Sequence, residues 1–512
     1  MNVADIIRLN SRSRPEREAL VVGDLRIDFG RYQVDVERTA AALAAAGVEK
    51  GVRVAALGKN SYEYTLLYFA TARIGAVLVP LNFWHRTAEL AYALGDAEPS
   101  LVFAAPAQTG PLSPALAELG RPVRSIALPE AGSRAEWDGF IAAGEGSDAP
   151  APEIDAADPH MILYTSGTTG RPKGAVLSHG RTVSDAFAMA LALGLRSTDT
   201  FLDHFPSFHV GNWDHFKMYL LVGGRVVLLP EFDPEAIYDA IATHRPTVLL
   251  GVPTMFHSLL EHPRRQTADL GCVRLVCYGA YDPSGLMAEV AEVFGVGAGG
   301  AEMGHTYGLT EAGPFVSYCP PEDLAAHPNS IGRPIPGVEV ALLDDALSEV
   351  PVGEAGEICV RGPRMSGYWR KPEETAEAMA GDWLHTGDMA VRTADGFMTI
   401  VDRKKDMIRS GGQNVYSKEV EDCLALHPDV DEVAVIGLPD PVYEEQVCAV
   451  IVPRAPAVGS DQLAADLAAS VRERLAGYNT PKRVEFVAEL PKNAVGKTQK
   501  HELRRMLGAP RG

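Results

Sequence analysis

Along the first half of the chain, amphipathic stretches such as Tyr32 to Ala46 alternate with short apolar runs at Val52 to Leu57, Val77 to Pro80 and Leu101 to Ala104. Apolar residues three and four apart form one helix face, whereas short apolar runs bounded by turn residues suit buried strands. The alternation therefore predicts an α/β architecture of layered sheets and helices with largely parallel strands. The segment from Ala105 to Pro159 is rich in Pro, Ala, Gly and acidic residues and reads as surface loops and a connector. From Gly332 to Ile400 the pattern shifts to β-rich runs, Glu339 to Leu343, Gly356 to Val360 and Phe397 to Val401, which predict a smaller β subdomain. After Asp402 come strand-like runs at Val433 to Gly437, Val447 to Val452 and Val484 to Val487. A helix opens at Ser460, with Leu463, Leu467, Val471 and Leu475 on one face. The expectation is a large N-terminal α/β domain over residues 1–401, β subdomain included, and a small α+β domain over residues 402–512. No internal repeat is present in the sequence.

At 512 residues the chain exceeds one ordinary hydrophobic core, and 46% hydrophobic with 22% charged residues is a globular composition, which excludes a disordered or fibrous chain. A net charge of −20 argues against a nucleic-acid partner, because phosphates meet repulsion over most of the surface. That charge is unevenly placed. From Arg403 onward 16 basic residues balance 16 acidic ones, so the excess of acid lies wholly before it, as suits a C-terminal unit that helps hold polyanions. The six cysteines are scattered, without a CxxC pair, and read as reduced thiols. No apolar stretch is long enough to span a bilayer. The residues from Met1 to Ser11 carry Asp5 and lack a continuous apolar core, so the expected location is cytoplasmic. Nothing in the pattern signals an oligomeric state.

The most specific segment runs Tyr164-Thr165-Ser166-Gly167-Thr168-Thr169-Gly170-Arg171-Pro172-Lys173-Gly174, between strand-like Met161 to Leu163 and Ala175 to Leu177. Glycines let the backbone turn its N–H groups inward, hydroxyls add donors, and a basic residue adds charge, which together suit a polyphosphate. A P-loop nucleotide fold fails here twice. Pro172 stands before the lysine where that motif has Gly, and Gly174 stands where it needs Ser or Thr. The loop also leads into a strand, so no helix N-terminus points at the phosphates.

These residues resemble the signature loop of the adenylate-forming superfamily, in its branch of acyl-CoA synthetases and acid–CoA ligases. The resemblance extends over nearly the whole chain, because further motifs follow in the family's order: Tyr307-Gly308-Leu309-Thr310-Glu311, Trp383-Leu384-His385-Thr386-Gly387-Asp388, Asp402-Arg403-Lys404-Lys405-Asp406, and Pro491-Lys492-Asn493-Ala494-Val495-Gly496-Lys497. It implies an AMP-forming acid–thiol ligase that takes a carboxylic acid, ATP, Mg2+ and coenzyme A. It further implies phosphate contacts by Thr165, Ser166, Gly167, Thr168, Thr169, Gly170, Lys173 and Thr310, magnesium ligation by Glu311, and adenine contacts by Gly279, Ala280 and a stacking Tyr307. Asp388 would accept the ribose hydroxyls beside Arg403. Lys497 would hold the acid's carboxylate and the α-phosphate, and His209 would lie where the acyl pocket meets the adenylate. In Ser410-Gly411-Gly412-Gln413-Asn414, Gly411 and Gly412 resemble the loop that forms the pantetheine tunnel once a mobile C-terminal domain turns about Asp402.

Two departures bear on specificity. The family usually has a Trp-Gly pair where this chain has Tyr443-Glu444, near the pantetheine entrance, and Gly-Gly-Ala-Pro where it has Gly279-Ala280-Tyr281-Asp282. With Asn212, Trp213 and His215, Tyr281 makes a bulky, polar set that leans towards a cyclic, aromatic or compact acid. Three alternatives stand beside this reading: an enzyme working mainly on preformed acyl-AMP, a ligase loading a carrier protein, and a catalytically idle nucleotide-binding protein.

Overall fold

The computed structural model describes residues 1–129, 134–165, 172–279, 285–410, 413–492 and 498–508. By compactness the chain forms two units. One comprises Met1–Ala280, Glu289–Val340 and Val360–His385, and the other Tyr281–Ala288, Ala341–Cys359 and Thr386–Gly512.

The first unit carries two large sheets. In the six-stranded one the order is Arg124–Ala127, Leu101–Ala104, Arg53–Leu57, Val77–Leu81, Pro159–Thr165, Lys173–Ser178. Its strands run parallel except the last pair, an antiparallel hairpin with Thr165 opposite Lys173. The nine-stranded sheet has a parallel interior, from Glu18–Val22 through Arg225–Leu228, Thr200–Asp203, Val248–Gly251 and Leu275–Gly279 to Glu302–Leu309. Antiparallel strands close it at both edges, Leu25–Asp28 on one side and Gly313–Cys319 with Arg333–Pro334 on the other. Parallel strands covered on both faces read as continuous apolar runs, and Val77, Leu78, Val79 and Leu81 are all buried.

Between residues 105 and 159 the expectation of loops and a connector is corrected. A helix at Thr109–Glu118, a strand at Arg124–Ala127 and a helix at Ala135–Ala142 occupy much of it. Each buries a few large or well-placed apolar groups, Leu112, Ala115, Ile126, Trp137 and Phe140, which the surrounding Pro, Gly and acidic residues obscure in sequence. Helix Phe29–Ala45 begins where the Asp28 side chain accepts from the Arg31 N–H, as an N-cap does. Helix His179–Ala192, capped by Ser178, packs on helix Val210–Leu221, which is buried along almost all of its length.

The second unit holds a four-stranded sheet, ordered Glu339–Leu343, Ala355–Arg361, Leu384–Arg392, Met398–Arg403, and a five-stranded one built on the long hairpin Val430–Asp440 and Glu444–Pro453. Alternation along that hairpin buries both faces. Val435, Val447, Ala449 and Ile451 meet the helices Ser417–Ala425 and Asp461–Arg474, while Ala434, Ile436, Cys448 and Val450 meet Leu503. Ser460 caps the second of those helices, and Leu463, Leu467 and Val471 are its buried positions. None of the six cysteines is in a disulfide. Among the described residues no helix is long and apolar enough to cross a membrane.

Candidate active site

The hairpin Pro159–Thr165 and Lys173–Ser178 delivers the two ends of the glycine-rich loop side by side. Gly174 has no room for a side chain, since a Cβ there would lie 2.7 Å from Ile162 and 3.3 Å from the Tyr164 ring. A further extended segment, Met365–Trp369, adds to the outer strand. The Trp369 N–H donates to the Gly174 carbonyl at 2.7 Å, and the Val176 N–H donates to the Gly367 carbonyl at 2.9 Å. This pairing carries Tyr368 to Glu311. Tyr368 Oη donates to Glu311 Oε1 at 3.1 Å, Thr165 Oγ1 donates to the same oxygen at 3.2 Å, and Lys173 Nζ lies 5.0 Å from the Tyr368 ring centre. All four residues are half-buried. Burial, with the negative charge of Glu311, raises the Tyr368 phenol and keeps it a donor. Ser166, Gly167, Thr168, Thr169 and Gly170 lie outside the described residues.

Glu311 follows the strand Glu302–Leu309, whose return strand is Gly313–Cys319. The two backbones approach closely at Gly308, where a Cβ would sit 2.2 Å from the Gly313 carbonyl oxygen. Tyr307 ends up only 8% exposed, and Thr310 is half-buried on the turn beside Glu311. Gly279, at the end of its strand, pairs with Thr306, so the structure brings Gly279 and Tyr307 into one neighbourhood. Ala280 and Tyr281 lie outside the described residues.

His209 is the N-cap of helix Val210–Leu221, its Nδ1 accepting from the Gly211 N–H at 3.0 Å. With Nδ1 an acceptor, the proton of the neutral ring is assigned to Nε2. The ring is solvent-accessible, while the protein crowded around it pushes its pKa down; accessibility decides whether a ligand reaches it, and crowding keeps it neutral. Asn212 and Trp213 turn their polar atoms inward. Asn212 Nδ2 donates to Asp203 at 3.1 Å and to the Phe205 carbonyl at 2.7 Å, and Trp213 donates to the Ser207 carbonyl and stacks on Tyr68 at 4.4 Å. Both side chains are buried. His215 is buried among Phe201, Phe205 and Phe315.

The same helix meets its neighbour through four charged side chains that sequence analysis passed over. Arg181 Nη1 lies 2.9 Å from Asp214 and 3.8 Å from Asp185, while Lys217 pairs with Asp214 and lies 3.5 Å from Asp185. None of these side chains is more than 2% exposed. Burial pushes the Asp185 carboxyl up to about 6, whereas at Asp214 the two cations outweigh burial and hold the carboxyl below its usual range. Gly313 makes room for the group, since a Cβ there would stand 2.8 Å from Asp185 and 3.2 Å from Arg181.

In the second unit Arg403 Nε lies 3.0 Å from Asp388 Oδ1 across a strand pair, the arginine side chain 41% exposed and the aspartate 9%. Lys404 pairs with Asp345 and Glu357. The Asp402 carboxylate accepts from the Ser417 N–H and, at 2.9 Å, from Ser417 Oγ, so it satisfies the otherwise unpaired, buried N–H at the start of helix Ser417–Ala425. Gly411, Gly412 and Lys497 lie outside the described residues. Tyr368 is the residue sequence reasoning missed. Its signal was the run Gly367-Tyr368-Trp369, an aromatic pair after a glycine, which has no chemical meaning until Glu311 is placed beside it.

Residues 7–369 match the family model described as AMP-binding enzyme, and residues 419–497 the one described as AMP-binding enzyme C-terminal domain. The feruloyl-CoA synthase of Amycolatopsis sp is 38% identical over 513 residues, with 97% of each chain covered. The indoleacetate–CoA ligase of Aromatoleum aromaticum is 35% identical over 516 residues, covering 99% of this chain and 98% of the relative. Among solved structures, ATP-bound MatB from Rhodopseudomonas palustris matches with a TM-score of 0.86 at 32% identity, over 99% of each chain.

Proposed function

This chain belongs to the AMP-binding enzyme family, and from that premise we propose that the acid it activates is a compact one carrying a ring. Its activity is that of an ATP-dependent acid–coenzyme A ligase working through an acyl-AMP. In the first half-reaction a carboxylate oxygen attacks the α-phosphorus of ATP and the bond to pyrophosphate breaks. In the second the sulfur of coenzyme A attacks the acyl carbonyl, its proton passes to solvent, and AMP leaves.

The observation that carries our assignment of parts is Glu311, a carboxylate receiving hydroxyl donors from Thr165 and Tyr368 at the mouth of the glycine-rich loop. Oxygen donors of this kind fit a hard cation, so Glu311 with Thr165 would hold magnesium, which supplies charge neutralisation on the phosphates. Ser166 to Gly170 with Lys173 and Thr310 bind the phosphates, and Gly279, Ala280 and Tyr307 border the adenine. Asp388 and Arg403 take the ribose, Lys497 steadies the carboxylate and α-phosphate during attack, and Gly411 and Gly412 border the pantetheine. Asp402 is the hinge between residues 1–401 and 402–512.

Two features support a ring-bearing acid. Both relatives named above act on such acids. The accessible His209 follows Phe208, which packs edge-on against Phe83 and the 45% exposed Trp84, an aromatic rim suited to flat rings. A panel of ferulate, indoleacetate and straight-chain acids, scored separately for pyrophosphate release and thioester, tests this. The ring acids should be favoured by about tenfold or more in kcat/KM, and equal use of straight chains would overturn the preference. Repeating the second step with a pantetheinylated carrier protein decides the acceptor, which we assign to free coenzyme A. Lys497→Ala should abolish pyrophosphate release yet keep thioester formation from supplied acyl-AMP.

A further inference from the structure

We propose that the helix Thr87–Ala97 clamps both ends of the phosphate loop, with Tyr92 and Asp96 as positioning residues for the ATP-consuming half-reaction. The inference rests on the ligase reading above and adds to it how the loop is held. Four residues apart, the two side chains stand one turn apart on a single face of the helix. Asp96 Oδ2 accepts from Tyr164 Oη at 2.7 Å, and Tyr164 belongs to the strand that enters the loop. Tyr92 Oη donates to the Pro172 carbonyl oxygen at 3.1 Å, and Pro172 immediately precedes the strand that leaves it. The backbone carbonyl of Asp96 accepts from Trp369 Nε1 at 3.1 Å, so the same turn also grips the segment that carries Tyr368 to Glu311.

The clamp has a firm base. Leu90, Ala93, Leu94 and Ala97 fix the helix in the core of the six-stranded sheet. Asp96 itself sits in the last turn, where the helix field disfavours a carboxylate and no basic residue of the helix offsets it. Its charge is met instead by Tyr164 and by Lys371, whose Nζ lies 3.6 Å from Oδ1. Burial together with Asp96 raises the Tyr164 phenol, so that it remains a donor throughout the working range of pH. A carboxylate set against the local field and bonded to a loop end is explained by what it holds. Tyr92 and Asp96 would therefore act on the nucleotide through the two ends of the loop they hold.

The experiment separates the half-reactions. Parent, Asp96→Ala, Asp96→Asn and Tyr164→Phe are assayed for ATP–pyrophosphate exchange with the acid the parent turns over fastest, and for thioester formation from the matching synthetic acyl-AMP. Asp96→Ala and Tyr164→Phe should each lower exchange by about tenfold to a hundredfold, mainly through KM for ATP, with thioester formation within about twofold of the parent. Asp96→Asn, which keeps an acceptor, should stay near the parent, and the Asp96→Ala/Tyr164→Phe double variant should be no worse than either single. Equal loss of both half-reactions, or exchange unchanged in Tyr164→Phe, would overturn the clamp while leaving the ligase reading intact. A parent without exchange for any acid of the panel would overturn both.

Discussion

Two groups of charged side chains in the first unit are built in opposite ways. Around Glu311 a single carboxylate meets neutral hydroxyls, the ammonium of Lys173 stays 5.0 Å from the Tyr368 ring centre, and every member remains half-buried. Between the two packed helices Arg181, Asp185, Asp214 and Lys217 balance one another in charge and are sealed from solvent. The difference teaches how to tell a site from a joint. A group proposed to receive an anionic ligand and its metal is left accessible with its charge only lightly met, whereas charges that hold elements together are paired off within the protein.

Stability and activity should therefore part company between the two groups. Asp214→Ala strands Arg181 and Lys217 without their nearest counter-charge and is expected to cost about 3–5 kcal/mol in denaturant unfolding. Replacing Asp214 and Lys217 together by apolar residues should cost less; a near-neutral single variant would break the comparison. Glu311→Gln should behave inversely, lowering adenylation by roughly 10²–10³-fold while unfolding stays within about 1 kcal/mol of the parent. A stability loss as large as that of Asp214→Ala would make Glu311 a joint as well.

The third expectation concerns pH. The folded state holds the Asp185 proton more tightly than the unfolded chain does, its carboxyl being raised from 3.8 to about 6 by burial and by Asp214 against the pull of Arg181 and Lys217. The stability this lends is complete below the unfolded value and is lost as pH rises through the folded one. Relative to Asp185→Asn, the parent should gain stability as pH is lowered from about 7 to about 4, by at most about 3 kcal/mol, and a difference flat in pH would refute the shift. The smallest effect is expected of Tyr368→Phe. It removes one of the hydroxyls on Glu311 and should slow adenylation by roughly fivefold to tenfold with no change in unfolding, which sharpens the assignment of Tyr368 to the open group.

Much of the fold was legible because its elements are locally consistent. Glu339–Leu343 and Leu101–Ala104 stand where their apolar runs predicted them, and Ser460 caps the helix whose Leu463, Leu467 and Val471 are buried. The strands that flank the loop before Lys173 were legible as apolar runs, and they pair with Thr165 opposite Lys173. Helix Val210–Leu221 was harder, because an element enclosed on nearly all sides shows no polar face, and its residues read instead as pocket lining. The sealed charges went unnoticed for a related reason: Arg181 and Lys217 look like surface residues until Asp185, one turn on from Arg181, and Asp214, one turn before Lys217 on the neighbouring helix, are seen to share one contact. Tyr368 is set beside Glu311 by a bridge to Ala175 and by the Met365 N–H donating to the Glu311 carbonyl at 2.6 Å, and contacts between residues so far apart in the chain leave no trace in local spacing.

The placement of Glu18–Val22 beside Arg225–Leu228, Leu20 opposite Val226, has a consequence for biosynthesis. The hairpin partner Leu25–Asp28 emerges from the ribosome almost at once, but the parallel neighbour exists only after everything up to Arg225 has been translated. At ordinary elongation speeds of about 5–20 residues per second, the open edge of that hairpin waits roughly 10–40 s for its mate. During that interval the nascent chain presents an apolar strand with unpaired backbone groups, the kind of edge that recruits wrong partners. The sheet that bears Tyr307 is thus completed late and from both ends of a long stretch of chain, and slower translation between Val22 and Arg225 is expected to lengthen the exposure of Ala19 to Val21, which are buried in the finished sheet.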